Sequence, residues 1–186
     1  PGLIVGPGDE TDRFTYWPMR LAKGGDVLCP GDGRDPVKYI DARDLGEWMV
    51  RLAEAGATGA YNAIGPGYAL DMAGLLYGIR ASTTAGAQLT WVPTEFLMAQ
   101  EVSPWGDMPV WVPGQGDSAG FHTRSNAKAI AGGLTFRSLA DTVEATRAWF
   151  AAQPEERRNA PLRAGIKPER EAEVLAAWKA QAATPA

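Results

Sequence analysis

The chain has one histidine and one cysteine, which narrows the chemistry open to it. His122 has the side-chain type for general acid–base work near neutral pH. It follows Phe121 at the end of a strand-like stretch, however, and a structural role is preferred. A two-histidine metal site is ruled out, and Cys29 alone can form neither an intrachain disulfide nor a cysteine zinc centre. No metal ligand set is therefore assigned. Asp41 and Asp44 are close enough in sequence to suggest a catalytic carboxylate pair. Glu47 stands three residues after Asp44, as a capping box requires, and Asp41 adjoins Lys38 and Arg43. Both aspartates are accordingly given structural roles.

Aromatic residues are the other candidates. The chain has seven tryptophans, and Phe14, Trp17, Trp105, Trp111 and Phe121 gather near turns and a long irregular stretch. Aromatics drawn from loops either line an apolar pocket, with indole nitrogens as polar handles, or pack the core beneath a loop that lacks regular structure. Both readings stay open, and these five are taken as candidate substrate contacts. Arg34, in a turn, is a candidate for an anion and equally a solvated surface charge. Trp48 and Trp149 lie on helical stripes and are assigned to the core.

The elements that must position these residues alternate between short strands and helices. An apolar stretch, PGLIV, precedes a turn at Gly6 to Asp9. A helix beginning near Thr15 carries Pro18 in its first turn, where proline costs no hydrogen bond, and closes at Gly24 and Gly25. Strand-like runs follow at Asp26 to Cys29 and Val37 to Ile40, separated by a turn from Pro30 to Pro36. A helix capped by Asp44 has Leu45, Trp48, Met49, Leu52 and Ala53 at helical spacing. The segment Ala60 to Ile64 reads as a short buried strand. A helix from about Asp71 carries Met72, Leu75, Leu76 and Ile79 on one face. A strand near Gln88 to Val92, a short helix after Thr94 and an irregular stretch from Ser103 to Gly120 come next. Ser125 and Lys128 start a short helix ended by Gly132 and Gly133. Ser138 caps another helix, with Leu139, Val143, Thr146 and Phe150 on one face. Residues 153 to 166 read as a polar linker, and Pro168 opens a terminal amphipathic helix to about Gln181. In that helix Val174, Leu175 and Trp178 oppose solvated charges at Glu169, Arg170, Glu171 and Glu173; it docks on its own domain or on a partner. This alternation predicts an α/β domain.

The succession PGLIVGPGD, PGDGRDPVKYIDARDLGEW, GAYNAIGPG and SNAKAIAGGLTFRSLADTVEATRAWF resembles, in order and spacing, the second half of the extended short-chain dehydrogenases/reductases, the epimerase/dehydratase group. The resemblance covers residues 1 to about 152, and the tail from 153 to 186 falls outside it. It implies the carboxyl-terminal part of a Rossmann-type fold with a small substrate-binding lobe. It also implies NAD or NADP as cofactor, held mainly by an amino-terminal half, with the backbone of Pro1, Gly2, Leu3 and Ile4 reaching the nicotinamide carboxamide. The glycine fingerprint that lets backbone approach a pyrophosphate is only partly matched here: Gly6 and Gly8, Gly31 and Gly33, Gly65 and Gly67 each lack the third glycine. The family's tyrosine with a lysine four residues later is absent as well. Tyr16 with Arg20 is the nearest imitation, and both are assigned to a helix surface. No catalytic residue is assigned; the serine, tyrosine and lysine are expected in the amino-terminal half. Val37 stands where nucleotide-sugar enzymes of the family have an arginine, which argues against such a substrate.

The expectation is the substrate-binding half of an NAD(P)-dependent reductase or dehydrogenase acting on a small carbonyl or alcohol, inactive by itself. The alternatives are a ligand- or cofactor-sensing protein of the same fold and one chain of a split enzyme. The chain opens inside PGLIV, and an upstream Rossmann half, on the same or a separate chain, is the expected partner. A net charge of −4 gives no electrostatic reason to bind nucleic acid or an anionic membrane, so a small uncharged or weakly charged ligand is expected. No apolar run approaches the roughly 18 to 20 residues that span a bilayer, and the lone cysteine suits a reducing cytoplasm.

Overall fold

A computed structural model describes residues 1–183 of the chain. It is a mixed α/β fold with two separate pairs of parallel strands and eight α-helices among the described residues. Strand β1 (Leu3–Val5) pairs with β3 (Tyr39–Asp41), and β2 (Gly25–Pro30) pairs with β4 (Ala87–Val92). Parallel pairing requires long crossovers between partners. Here they are built from α1 (Tyr16–Ala22), α2 (Ala42–Glu54) and α3 (Met72–Ala81). Then come α4 (Thr94–Ala99), a 3₁₀ turn at Gly116–Ser118, α5 (Ala127–Ala131), α6 (Leu139–Ala151), α7 (Glu155–Asn159) and α8 (Pro168–Ala183). No helix among the described residues is long and apolar enough to cross a membrane.

The helix starts follow from local chemistry. Asp71 accepts a hydrogen bond from the amide of Gly74 (2.7 Å) and Ser138 from that of Asp141 (3.1 Å), so α3 and α6 begin with satisfied amides. The expected stripe of α3 is buried in full at Met72, Leu75, Leu76 and Ile79. The cap of α2 differs from the sequence reading, since Asp41 accepts from the amide of Arg43 at 2.8 Å and the helix begins at Ala42. Asp44, inside the first turn, turns instead to Arg137, binding both its amide (2.9 Å) and its guanidinium, while Glu47 binds the same guanidinium at 2.5 Å. The capping-box pattern thus serves a link between α2 and the loop before α6. Of the stripe read on α2, Trp48 is buried and Met49 is exposed.

Two further expectations change. The second strand is Tyr39–Asp41 rather than Val37 to Ile40, because the amide of Val37 goes to the Leu70 carbonyl and that of Lys38 to His122 Nδ1. Residues 60 to 64 form no strand; pairing there is a single bridge between Tyr39 and Gly65. A side chain at Gly65 would meet the Phe136 ring at 2.6 Å, so only glycine lets this segment lie against the β1–β3 pair.

The main core joins α1, β2, α3, β4 and α8 through Leu21, Leu28, Leu76, Val92 and Val174. Ile40, Trp48, Ala63, Ala129 and Leu134 make a second, smaller cluster. Trp149 is only half-buried. The terminal helix docks on its own domain. Glu171, read as a solvated charge, is 4% exposed; it accepts from the Leu28 amide (3.0 Å) and from Arg20 Nε (2.7 Å). The stretch from 153 to 166 is likewise more than a linker, as Arg157 of α7 pairs with the fully buried Asp12.

Candidate functional site

Where β1 begins, Pro1, Gly2, Leu3 and Ile4 line one side of an open cavity of about 820 Å³. Trp105, Phe121 and His122 form another, and the turn after β1, from Gly8 to Arg13, contributes a third. The volume is in the range of small-molecule sites.

That turn is held from inside by Asp9, which the sequence did not single out. Its Oδ2 accepts from the amides of Phe14 and Thr15 (both 2.9 Å) and from the Thr15 hydroxyl (3.0 Å), and its Oδ1 accepts from the Thr11 hydroxyl (2.8 Å). At the head of the turn, Gly6 has φ +101° and lies so close to Asp41 that a side chain would meet the carboxylate at 3.3 Å. Glycine is required there for both reasons.

The aromatic wall rests on a loop with an unusual backbone. Trp105 and Val110 both have positive φ, at 63° and 70°. A β-branched residue in that region is a genuine outlier, which persists only where surrounding contacts fix it. Trp17 and Trp111 supply those contacts. The indole of Trp17 donates to the Pro109 carbonyl at 2.7 Å, and that of Trp111 to Asp35 Oδ2 at 2.6 Å. Asp35 Oδ1 also accepts from the Gly114 amide at 2.8 Å. Trp105 itself stays half-buried, with Phe121 edge-on at 5.6 Å and the Arg13 guanidinium over its ring at 5.6 Å.

The six candidate substrate contacts therefore divide. Trp105 and Phe121 line the cavity together with Pro1 to Ile4. Phe14, Trp17 and Trp111 are completely buried, and their aromatic surface is core beneath the loop. Arg34 has a side chain 87% exposed, 3.8 Å from Asp32, away from the cavity. The charged residues at the cavity are instead Asp9, Glu10, Arg13, Lys38 and Arg124. Three loops distant in sequence bring the cations together, and no spacing pattern marks them.

His122 is 5% exposed and edge-on to Phe121 at 4.8 Å. Its Nδ1 accepts from the Lys38 amide at 3.2 Å, which fixes the neutral form with the proton on Nε2. Nε2 is buried without a hydrogen-bond partner. Burial lowers the imidazole pKa below its usual 6.5, an effect the Val110 backbone only partly offsets. Tyr16 is buried rather than on a helix surface, with its hydroxyl unpartnered, and burial raises its pKa far above the ordinary phenol value. Arg20 is held by Glu171 and by the carbonyls of Gly24 and Asp26. Tyr16 therefore keeps its proton near neutrality in this setting.

The fit to a dinucleotide is partial. Strand-start backbone facing a cavity suits contact with a nicotinamide carboxamide. A pyrophosphate finds no cradle at Gly6 and Gly8, because the amides of Phe14 and Thr15 just ahead of α1 are already taken by Asp9. Among the described residues no group of three His, Cys, Asp or Glu side chains converges as a metal site would require. Fold and site thus define an α/β protein with an open, aromatic-walled, ligand-sized cavity. No protein-family model matches the chain, and no curated protein matches it significantly.

Proposed function

We propose that the chain is the substrate-binding half of an NAD(P)-dependent oxidoreductase of the short-chain dehydrogenase type, acting on a small carbonyl or alcohol. One observation carries the reading: the β1 start, expected from the sequence resemblance to face the nicotinamide, shares a cavity with the aromatic pair Trp105 and Phe121. When bound, the dinucleotide supplies or accepts hydride. Pro1 to Ile4 hold one side of the reacting pair, Trp105 and Phe121 exclude water and orient the apolar part of the substrate, and the neutral His122 backs the wall. β1 has no second neighbouring strand among the described residues, and Ile4 is 44% exposed. An unpaired strand edge offers free backbone groups for a further strand, and an adjoining Rossmann half would supply one.

The test is to isolate the protein that contains these residues from its own cell, record its intact mass, and assay NADH- and NADPH-dependent carbonyl reduction beside the 186-residue chain. Turnover by the natural protein and none by the chain alone is expected. A natural protein that neither binds nor oxidises either dinucleotide refutes the proposal. A second reading, ligand binding without catalysis, draws on the place of Tyr16, which is buried in the core outside the cavity, so that the nearest imitation of the family's tyrosine pair cannot meet a ligand there. It predicts ligand binding by the natural protein with no turnover.

A further inference from the structure

Charge around the cavity runs opposite to charge in the chain. Two carboxylates reach the lining, and both are engaged. Asp9 is consumed by four donors of its own turn, and Glu10 pairs with Arg163 at 3.0 Å. The cations at the same cavity have no carboxylate partner among the described residues. Arg13 lies over the Trp105 ring, Arg124 has only the Phe121 carbonyl at 3.5 Å, and Lys38, a half-buried residue at the cavity, has no carboxylate beside its ammonium. His122, beside Lys38, is neutral and adds no positive charge that would make the cluster self-repelling.

The three cations are tied to one aromatic group. Arg13 stacks on Trp105, Trp105 meets Phe121 edge-on, Phe121 meets His122, and the Lys38 amide binds His122. Arg124 returns to the Phe121 carbonyl. A ligand in this cavity therefore meets flat apolar surface and uncompensated positive charge together. Building on the oxidoreductase reading, we infer that the substrate is a small aromatic carboxylic acid bearing the reactive carbonyl or alcohol, its carboxylate held by Arg13, Lys38 and Arg124 and its ring by Trp105 and Phe121. This inference differs from the uncharged or weakly charged ligand that net charge suggests.

The test is calorimetric titration of the 186-residue chain with phenylpyruvate, with phenylacetone, in which a methyl replaces the carboxylate, and with pyruvate, which lacks the ring. Phenylpyruvate is expected to bind at least about tenfold more tightly than either relative, the worth of one charge-assisted hydrogen bond set. Lys38→Met and Arg13→Gln, each checked by circular dichroism for folding, are expected to weaken phenylpyruvate about tenfold and to leave phenylacetone unchanged. Lys167→Met, at an exposed site outside the cavity, controls for net charge and should change nothing. Equal affinity for phenylacetone and phenylpyruvate overturns the inference, as does the absence of phenylpyruvate binding at millimolar concentration. A parallel titration with NADH separates the two anion sources. If NADH rather than phenylpyruvate loses affinity in the two variants, the cations serve a dinucleotide phosphate and the substrate assignment falls. Phenylpyruvate binding together with a natural protein inert toward NADH and NADPH would instead sink the oxidoreductase reading and leave the acid site standing.

Discussion

Replacing Asp9 with alanine tests whether the wall of the cavity is held by a single carboxylate. The side chain is 7% exposed and accepts from the buried amides of Phe14 and Thr15. Alanine leaves both amides without an acceptor, in a place where α1 has not yet begun its own hydrogen bonding. Each orphaned buried donor costs about 1 to 3 kcal/mol, so the loss should be about 2 to 6 kcal/mol. The hydroxyls of Thr11 and Thr15 can rotate toward other acceptors and add little. Asparagine retains one oxygen for the amides and should forfeit roughly half as much. Urea unfolding followed by tryptophan fluorescence reads the change as a lower midpoint with an unchanged slope. An Asp9→Ala variant within about 1 kcal/mol of the parent would refute the reasoning, because it would mean that water or a shifted backbone satisfies both amides.

Because His122 is the only histidine, its proton NMR titration is unambiguous, and the midpoint should fall below 6.5. The depressed value means that the unfolded chain binds more protons, so the stability linked to His122 is complete above about pH 6.5 and is lost as pH falls through the folded value. A midpoint at or above 6.5 would contradict the burial seen here. Glu171→Ala removes the acceptor of the Leu28 amide and the counter-charge of Arg20. It should cost about 3 to 5 kcal/mol by thermal unfolding, and a loss under about 1 kcal/mol would mean that α8 is not anchored through this carboxylate. Trp111→Phe keeps an aromatic ring but removes the donor to Asp35 and leaves a small void at a fully buried site. A loss of about 1 to 3 kcal/mol in urea unfolding is expected, and unchanged stability would show that the Trp105 loop is held otherwise.

What could be read from the sequence was what neighbours along the chain decide. Asp71, Ser138 and Pro168 mark helix starts because a cap acts on amides two or three residues away, and the stripe of α3 repeats within one helix. Strands β2 and β4 stood out for the same local reason, short apolar runs between turn signals. The reading failed where a distant partner decides. Asp44 had the local pattern of a cap, but Arg137, 93 residues on, takes its carboxylate. Trp17 and Trp111 had the composition of pocket residues, yet Pro109 and Asp35, 92 and 76 residues away, take their indole donors and draw the rings into the core. Trp105, with φ at 63°, stays half-buried and lines the cavity.

The division of labour between the two signs of charge separates the net charge of the chain from the charge that a ligand in the cavity would meet. Among the described residues five carboxylates are buried, at Asp9, Asp12, Asp41, Asp44 and Glu171, and no lysine or arginine is buried to that degree. Each of the five accepts a backbone amide: those of Phe14 and Thr15, Arg163, Arg43, Arg137 and Leu28, respectively. Cations have no acceptor to offer and cannot do this work. Five of the 22 acidic residues are thus built into the frame, capping segment starts and tying α7 and α8 to the body. For Asp41, burial alone would raise the carboxyl pKa, but Arg43 and the Thr142 hydroxyl outweigh it and hold the group below the usual carboxylate range. Carboxylates tied up in this way do not face the cavity as free negative charge, whereas Arg13, Lys38 and Arg124 do face it as free positive charge. A chain of acidic average composition can therefore present a cationic site.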